Sequence, residues 1–142
     1  MYGYIGQTDI NIYERTIIVT LIARKSVKNA GPRFYKRGLT FDGYVANEIE
    51  TEQIVTDNTL LSYGLRKSSS YVQLRGSAPF FWSHFTTEKQ NLVCAKPPIL
   101  VNVVDPYHRS AAIHFNRIFK RYGIPIICLN LVKVRAFSIN LP

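Results

Sequence analysis

Two cysteines, three histidines and a glutamate triplet are the residues of this 142-residue chain with reactive chemistry in reach, and their spacing excludes most of it. A cysteine that attacks a phosphoryl group needs a lowered pKa and an arginine gripping the phosphoryl oxygens through paired N–H groups, which the spacing Cys-x5-Arg supplies. Neither cysteine has it, because Leu100 stands six residues after Cys94 and Val134 six after Cys128. Cys128 lies in an apolar run and is expected to be a small buried hydrophobe. His84, His108 and His114 lack metal-ligand spacing, so neither a metal nor another cofactor is expected. His114 reads as a structural residue at the border of two helix faces. Arg75-Gly76-Ser77 lacks the second glycine of a serine nucleophile elbow. A phosphate-cradling glycine loop and the dinucleotide fingerprints are also missing, so no catalytic residue is assigned in this chain.

Carboxylates and cations are better placed. Glu48, Glu50 and Glu52 alternate onto one face of an expected strand, with Val45, Asn47, Ile49, Thr51, Gln53 and Val55 on the other. A strand so polar on both faces suits a cleft wall or a charge-paired sheet surface, and pairing across strands is favoured over a catalytic carboxylate. Upstream, Arg24, Lys25, Lys28, Arg33, Phe34, Tyr35, Lys36 and Arg37 interleave cations with aromatics. That pattern fits a lipid-phosphate face, a nucleic-acid face or a solvated strand edge.

The elements that must hold these side chains are legible from period and punctuation. Strands are expected over 9–13 and 16–23 around a tight turn at Glu14-Arg15. A turn over 26–32 precedes an extended segment at Phe34 and Tyr35, and Asp42-Gly43 is a further turn. A loop is expected over 58–70, a strand over 71–74, and an aromatic block at Phe80, Phe81 and Trp82. The clearest helix runs over 106–122, with Asp105 as N-cap, Pro106 at the first position and Gly123 past the end. Its expected core stripe is Ala111, Ala112, Phe115, Ile118, Phe119 and Tyr122, opposite Arg109, Asn116, Arg117 and Lys120. A buried strand over 125–132 is expected to follow.

The length gives room for one domain, and 46% hydrophobic residues supply a core. A net charge of +9 favours a polyanionic partner. The absence of Cys-x-x-Cys pairing and of a signal peptide points to a reduced cytosolic setting. The apolar run at 17–23 is far short of the roughly 20 residues a spanning helix needs, so membrane contact is expected to be peripheral.

Taken in order, four segments resemble consecutive motifs of the Sac-type phosphoinositide phosphatases. They are Leu21-Ile22-Ala23-Arg24-Lys25-Ser26, the stretch from Ala30-Gly31-Pro32-Arg33 to Gly38, the stretch from Val45 to Gln53, and Arg75-Gly76-Ser77-Ala78-Pro79-Phe80-Phe81-Trp82. Further along, Lys96-Pro97-Pro98-Ile99, Asp105-Pro106-Tyr107, Ala111-Ala112-Ile113-His114-Phe115 and Leu129-Asn130-Leu131-Val132-Lys133 are most similar to members that remove the 5-phosphate from phosphatidylinositol 3,5-bisphosphate. Pro32 departs from the family's threonine, and Ala78 and Phe80 depart from its aliphatics.

The resemblance implies an α/β fold, with a mixed sheet, at least one amphipathic helix and the early half of a Sac catalytic core over residues 1–133, ahead of a divergent tail over 134–142. It implies a catalytic Cys-x5-Arg loop outside this sequence, hence a chain inactive alone and marginally stable. By charge and motif position, Arg33, Lys36, Arg37 and Arg75 are the candidates for phosphate or head-group contact. The implied partners are phosphoinositide head groups on endosomal or vacuolar membranes and a lipid kinase of the PIKfyve type with its scaffold, with nucleic acid disfavoured. The alternative is a non-catalytic basic module that binds anionic membranes or a partner protein.

Overall fold

The computed structural model of the chain describes residues 3–32, 35–57, 67–84 and 98–131. It is a sheet-dominated α/β fold with one helix among the described residues, in line with the expected sheet and at least one helix, and it divides into two compact units.

The first unit, Met1–Val27 with Glu48–Arg75, is built on a four-stranded antiparallel sheet. Its strands β1 (Gly3–Ile12), β2 (Arg15–Lys25), β3 (Ile49–Asp57) and β4 (Lys67–Arg75) lie side by side in chain order. Ile12 pairs with Arg15, so the first turn is Tyr13-Glu14, one residue earlier than expected. Both turn residues have positive φ, 47° and 64°, the handedness that matches the twist of the flanking strands. Strand β3 begins at Ile49 rather than Val45. Asn47 takes φ 54°, which ends the extended run before Glu48, while Val45 and Ala46 are buried in the other unit.

The serine tract was expected in a loop and instead lies in β4, where Ser68, Ser69 and Ser70 face Thr56, Val55 and Ile54. Hydroxyls replace β-branched bulk as the cross-strand link. Ser68 and Thr56 share a hydrogen bond of 3.1 Å, and Ser70 donates to Glu52 Oε1 at 3.0 Å. Residues 58–66 of that expected loop lie outside the described residues.

The second unit, Lys28–Asn47 with Gly76–Pro142, carries β5 (Phe81–His84), β6 (Ile99–Val103) and α1 (Arg109–Tyr122). β5 and β6 pair antiparallel with a register shift at Phe81/Trp82. The expected Asp-Gly turn is present: Gly43, at φ 77°, donates to Thr40 O at 3.0 Å, and Leu39 bridges to Val45. Leu39, Val45, Ala46, Phe81 and Ile118 form the buried apolar core, with the Phe41 and Phe81 rings 4.8 Å apart.

The helix starts three residues later than expected. Pro106 and Tyr107 belong to a turn closed by His108 N–H on Asp105 O at 3.1 Å, and His108, at φ 48°, precedes the first helical residue. Asp105 still serves the helix end, because its carboxylate accepts from Tyr107 N at 3.3 Å and Ser110 N at 3.4 Å. The buried stripe is also rotated, to Ser110, His114 and Ile118, leaving Phe119 and Tyr122 exposed. Polar docking causes the rotation: Ser110 Oγ donates to Phe41 O at 3.3 Å, and His114 Nδ1 lies 3.1 Å from Gly43 O. A Cβ at Gly43 would stand 2.8 Å from His114 N, so only glycine permits this approach. Gly123 ends the helix as expected, at φ 77° and donating to Phe119 O at 2.9 Å.

The buried strand expected over 125–132 is not formed. Residues 125–131 have no regular structure, Ile127 is 91% exposed and Leu129 81%, and Val132 lies outside the described residues. An apolar run becomes a buried strand only beside a pairing partner, and among the described residues none pairs with it. Cys128 sits in that run and is exposed, correcting the expectation of burial. Among the described residues no helix is long and apolar enough to cross a membrane, and residues 17–23 lie within β2.

Candidate functional site

Tyr35 and Lys36 lie in a turn rather than in the extended segment expected there, and Phe34 lies outside the described residues. Pro32 O accepts hydrogen bonds from Tyr35 N at 3.1 Å and Lys36 N at 3.0 Å. The departure from threonine at Pro32 therefore costs this turn nothing, since only the carbonyl is used. Asn47 pins the turn from across the unit. Its Oδ1 accepts from Gly31 N and its Nδ2 donates to Lys36 O, both at 3.3 Å, while its own N–H bonds to Asn29 O. Asparagine tolerates the left-handed φ this needs. A Cβ at Gly31 would run into the Lys36 side chain, so the glycine sets that side chain's path.

The next residues are held by the segment after Arg75. Gly38 N donates to Ser77 Oγ at 3.0 Å, Ser77 N to Ala46 O at 3.1 Å, Ala46 N to Gly38 O at 2.9 Å and Leu39 N to Phe80 O at 3.0 Å. Three motif segments separated in sequence thus close one hydrogen-bonded ring of contacts around Gly38. The Arg37 guanidinium stands over the Trp82 ring at 5.4 Å from its centroid, and Trp82 Nε1 donates to Ala78 O at 3.2 Å.

The four candidate residues fall in different places. Lys36 is exposed on the pinned turn, and its ammonium meets no hydrogen-bonding or charged partner among the described residues. Arg37 is half-buried beside it. Arg75 belongs to the first unit, exposed at the end of β4 opposite Ile49. Arg33 lies outside the described residues. The structure brings Lys36 and Arg37 together as neighbours of one turn.

A second cationic group was not expected. Arg117, assigned to the solvent face of the helix, is half-buried with its guanidinium 4.3 Å from the Tyr44 ring centroid, and Lys28 Nζ is 5.7 Å from the same ring. Arg117 Nη2 also lies 3.3 Å from His114 Nδ1. The three-residue spacing of His114 and Arg117 placed them on adjoining helix positions, but only the docking on residues 41–44 brings Arg117 to Tyr44.

In the first unit the glutamates form a charge ladder, not a catalytic pair. Arg24 Nη1 donates to Glu50 Oε1 and to Glu52 Oε2, each at 2.8 Å. Hydrogen bonds from Arg24 and then Ser70 hold the Glu52 carboxyl below the usual glutamate range, and Glu52 and Glu50 in turn raise the Arg24 guanidinium. Glu48 precedes the strand and so does not share that face; its carbonyl accepts from Ser26 N at 2.9 Å. Among the described residues no group of three or more His, Cys, Asp or Glu side chains stands together as a metal site.

The arrangement can present cations to an anion from a braced turn. Comparison with known proteins gives this geometry its setting. The SacI homology domain family matches residues 1–138. The polyphosphoinositide phosphatase of Schizosaccharomyces pombe is 47% identical over 140 residues, covering 94% of this chain and 16% of that protein. From Arabidopsis thaliana, phosphoinositide phosphatase SAC4 is 42% identical, over 94% of this chain and 15% of its own length. The phosphatidylinositol-3-phosphatase SAC1 of the same organism is 43% identical, over 94% and 14%. The chain spans 14–16% of the length of these three relatives. Its ordered motifs, their interlocking around Gly38 and this similarity agree: the chain belongs to the SacI homology domain family, the family of the phosphoinositide phosphatases.

Proposed function

We propose that these residues supply the head-group-facing scaffold of a phosphoinositide phosphatase whose activity is removal of the 5-phosphate from phosphatidylinositol 3,5-bisphosphate. The observation that carries this reading is the Lys36-Arg37 turn, fixed by Asn47 and Ser77 from two further family motifs. It is supported by the 47% identity to a protein named a polyphosphoinositide phosphatase. Arg33 and Arg75 are proposed as further contacts on motif position and charge. With no Cys-x5-Arg in the sequence, the nucleophile must come from other residues, and this chain alone binds head groups without hydrolysing them. It is proposed to act peripherally, on the cytosolic side of endosomal or vacuolar membranes, beside a lipid kinase of the PIKfyve type and its scaffold.

The test incubates the purified chain with phosphatidylinositol 3,5-bisphosphate vesicles and follows phosphate release and co-sedimentation together, with a complete family member as positive control. No release is expected, with stronger sedimentation than on phosphatidylserine vesicles of matched charge, and Lys36→Ala is expected to weaken it about fivefold. Phosphate release would overturn the inference of a missing nucleophile. The net charge of +9 favours a second reading, a basic module without head-group preference. Equal sedimentation on both lipids would select that one.

A further inference from the structure

The four-stranded sheet sorts its charges by face. Directly opposed residues of an antiparallel ladder point to the same side. The register therefore puts Arg15, Lys25, Asp57, Lys67 and Arg75 on one face and Asp9, Arg24, Glu50 and Glu52 on the other. The second face satisfies much of its own charge, through Arg24 with Glu50 and Glu52. On the first face four cations meet one carboxylate, and Asp57 stands opposite Lys67, at the far end from Lys25 and Arg75.

Lys25 and Arg75 flank Ile49 in a single cross-strand row, about 10 Å apart at two strand spacings. Neither side chain has a hydrogen-bond or ion-pair partner among the described residues. The adjoining rows of the same face carry open apolar side chains beside Thr51, Gln53 and Gln73: Tyr4 is 62% exposed, Tyr71 63% and Leu21 37%. The Tyr4 ring lies along β1 over Gly6, where a Cβ would collide with it. Exposed Ile10 and Ile12 extend the apolar strip along β1.

We propose that this face docks on a bilayer containing anionic lipid, with Lys25 and Arg75 at the phosphates and Tyr4, Leu21 and Tyr71 in the interfacial layer. Charge complementarity selects the occupant. The face carries an excess of cations beside tyrosines, whose apolar rings and hydroxyl tips suit the level of the head groups. An acidic protein would match the cations but would have to bring its own apolar patch to cover the strip. The proposal rests on the lipid-surface part of the reading above and not on its head-group preference.

Co-sedimentation with phosphatidylcholine vesicles carrying phosphatidylserine tests it. Lys25→Gln with Arg75→Gln is compared with Gln7→Glu with Ser68→Glu, which lowers the net charge equally on the opposite face. The first pair is expected to reduce partitioning about thirtyfold and the second about threefold or less. A label at Gln73, on the docking face, is expected to be quenched by brominated lipid in a Cys94→Ser/Cys128→Ser background, and a label at Gln7 is not. Equal losses for the two pairs, or labels that are quenched alike or not at all, would overturn the proposal. If the face dependence persists while 3,5-bisphosphate is not preferred, the head-group reading alone fails.

Discussion

Gly38 is the residue on which the second unit depends most closely. It takes φ 71°, and a Cβ there would stand 2.7 to 2.9 Å from Trp82 O, Phe80 O and Trp82 N, all backbone atoms that cannot turn aside. Its own N–H is capped by the Ser77 hydroxyl rather than by a ladder partner. The two residues therefore fail differently when changed. Ser77→Ala leaves a buried amide without its acceptor and is expected to cost about 1–3 kcal/mol. Gly38→Ala adds a left-handed strain and a backbone collision, and is expected to cost about 3 kcal/mol or more. Urea unfolding of both variants checks the order, and an alanine at Gly38 that melts like the parent would remove the argument. The same chemistry explains why Arg37 and Lys36 differ as ligands. Arg37 spends one face of its guanidinium on Trp82, so Lys36 presents the more accessible charge of the turn.

At the scale of elements, sequence patterning located β1, β2, β3 and part of β4 but not their ends, passed over β5 and β6, and placed over 125–132 a strand that is not formed. β2 was legible as an apolar run rich in β-branched residues, and β3 by its glutamates recurring at period two. The Ser68-Ser69-Ser70 tract read as loop because serine favours turns, and its strand state comes from Thr56 and Glu52 on the neighbouring strand, which a local window cannot see. The Glu50 and Glu52 ladder was legible as cross-strand pairing with the upstream basic run, and the member of that run that pairs is Arg24, inside β2. Helix α1 was located by its caps, but its buried stripe is set by hydrogen bonds to Phe41 O and Gly43 O, a tertiary fact absent from its own periodicity. The ladder has a pH signature. Glu52 is held below its ordinary value near 4.5, so its contribution is fully present above that pH and is lost as pH falls through the lower folded value. Melting temperature followed against pH should show the parent more stable than Glu52→Gln at neutral pH, with the gap closing under acid. A gap that stays constant or widens on acidification would show that Arg24 does not stabilise the ionised form.

At the scale of the whole chain, the family motifs run through both units. The chain passes between units after Val27, after Asn47 and after Arg75, so the segment from Val45 to Gln53 and the segment from Arg75 to Trp82 each contribute to both. One motif thus supplies Ala46 and Asn47 to brace the basic turn and Glu50 and Glu52 to brace the sheet, which is why so polar a stretch carries little catalytic meaning. What composition could not reveal is the state of the apolar run after Gly123. Ile124, Ile127, Leu129 and Leu131 are each about four-fifths exposed or more, beside the basic Lys120 and Arg121. An uncharged segment with this many water-facing apolar side chains associates readily with another copy of itself. The purified chain is therefore expected to self-associate, and more strongly as salt screens its net charge of +9. Ile127→Lys with Leu129→Lys adds charge where both side chains already face water, so it should restore a monomer while leaving the melt of the two units nearly unchanged. Sedimentation velocity across concentration and salt decides the point: association that persists in the double variant would assign the contact to another surface, with the exposed edge of β1 the next to test.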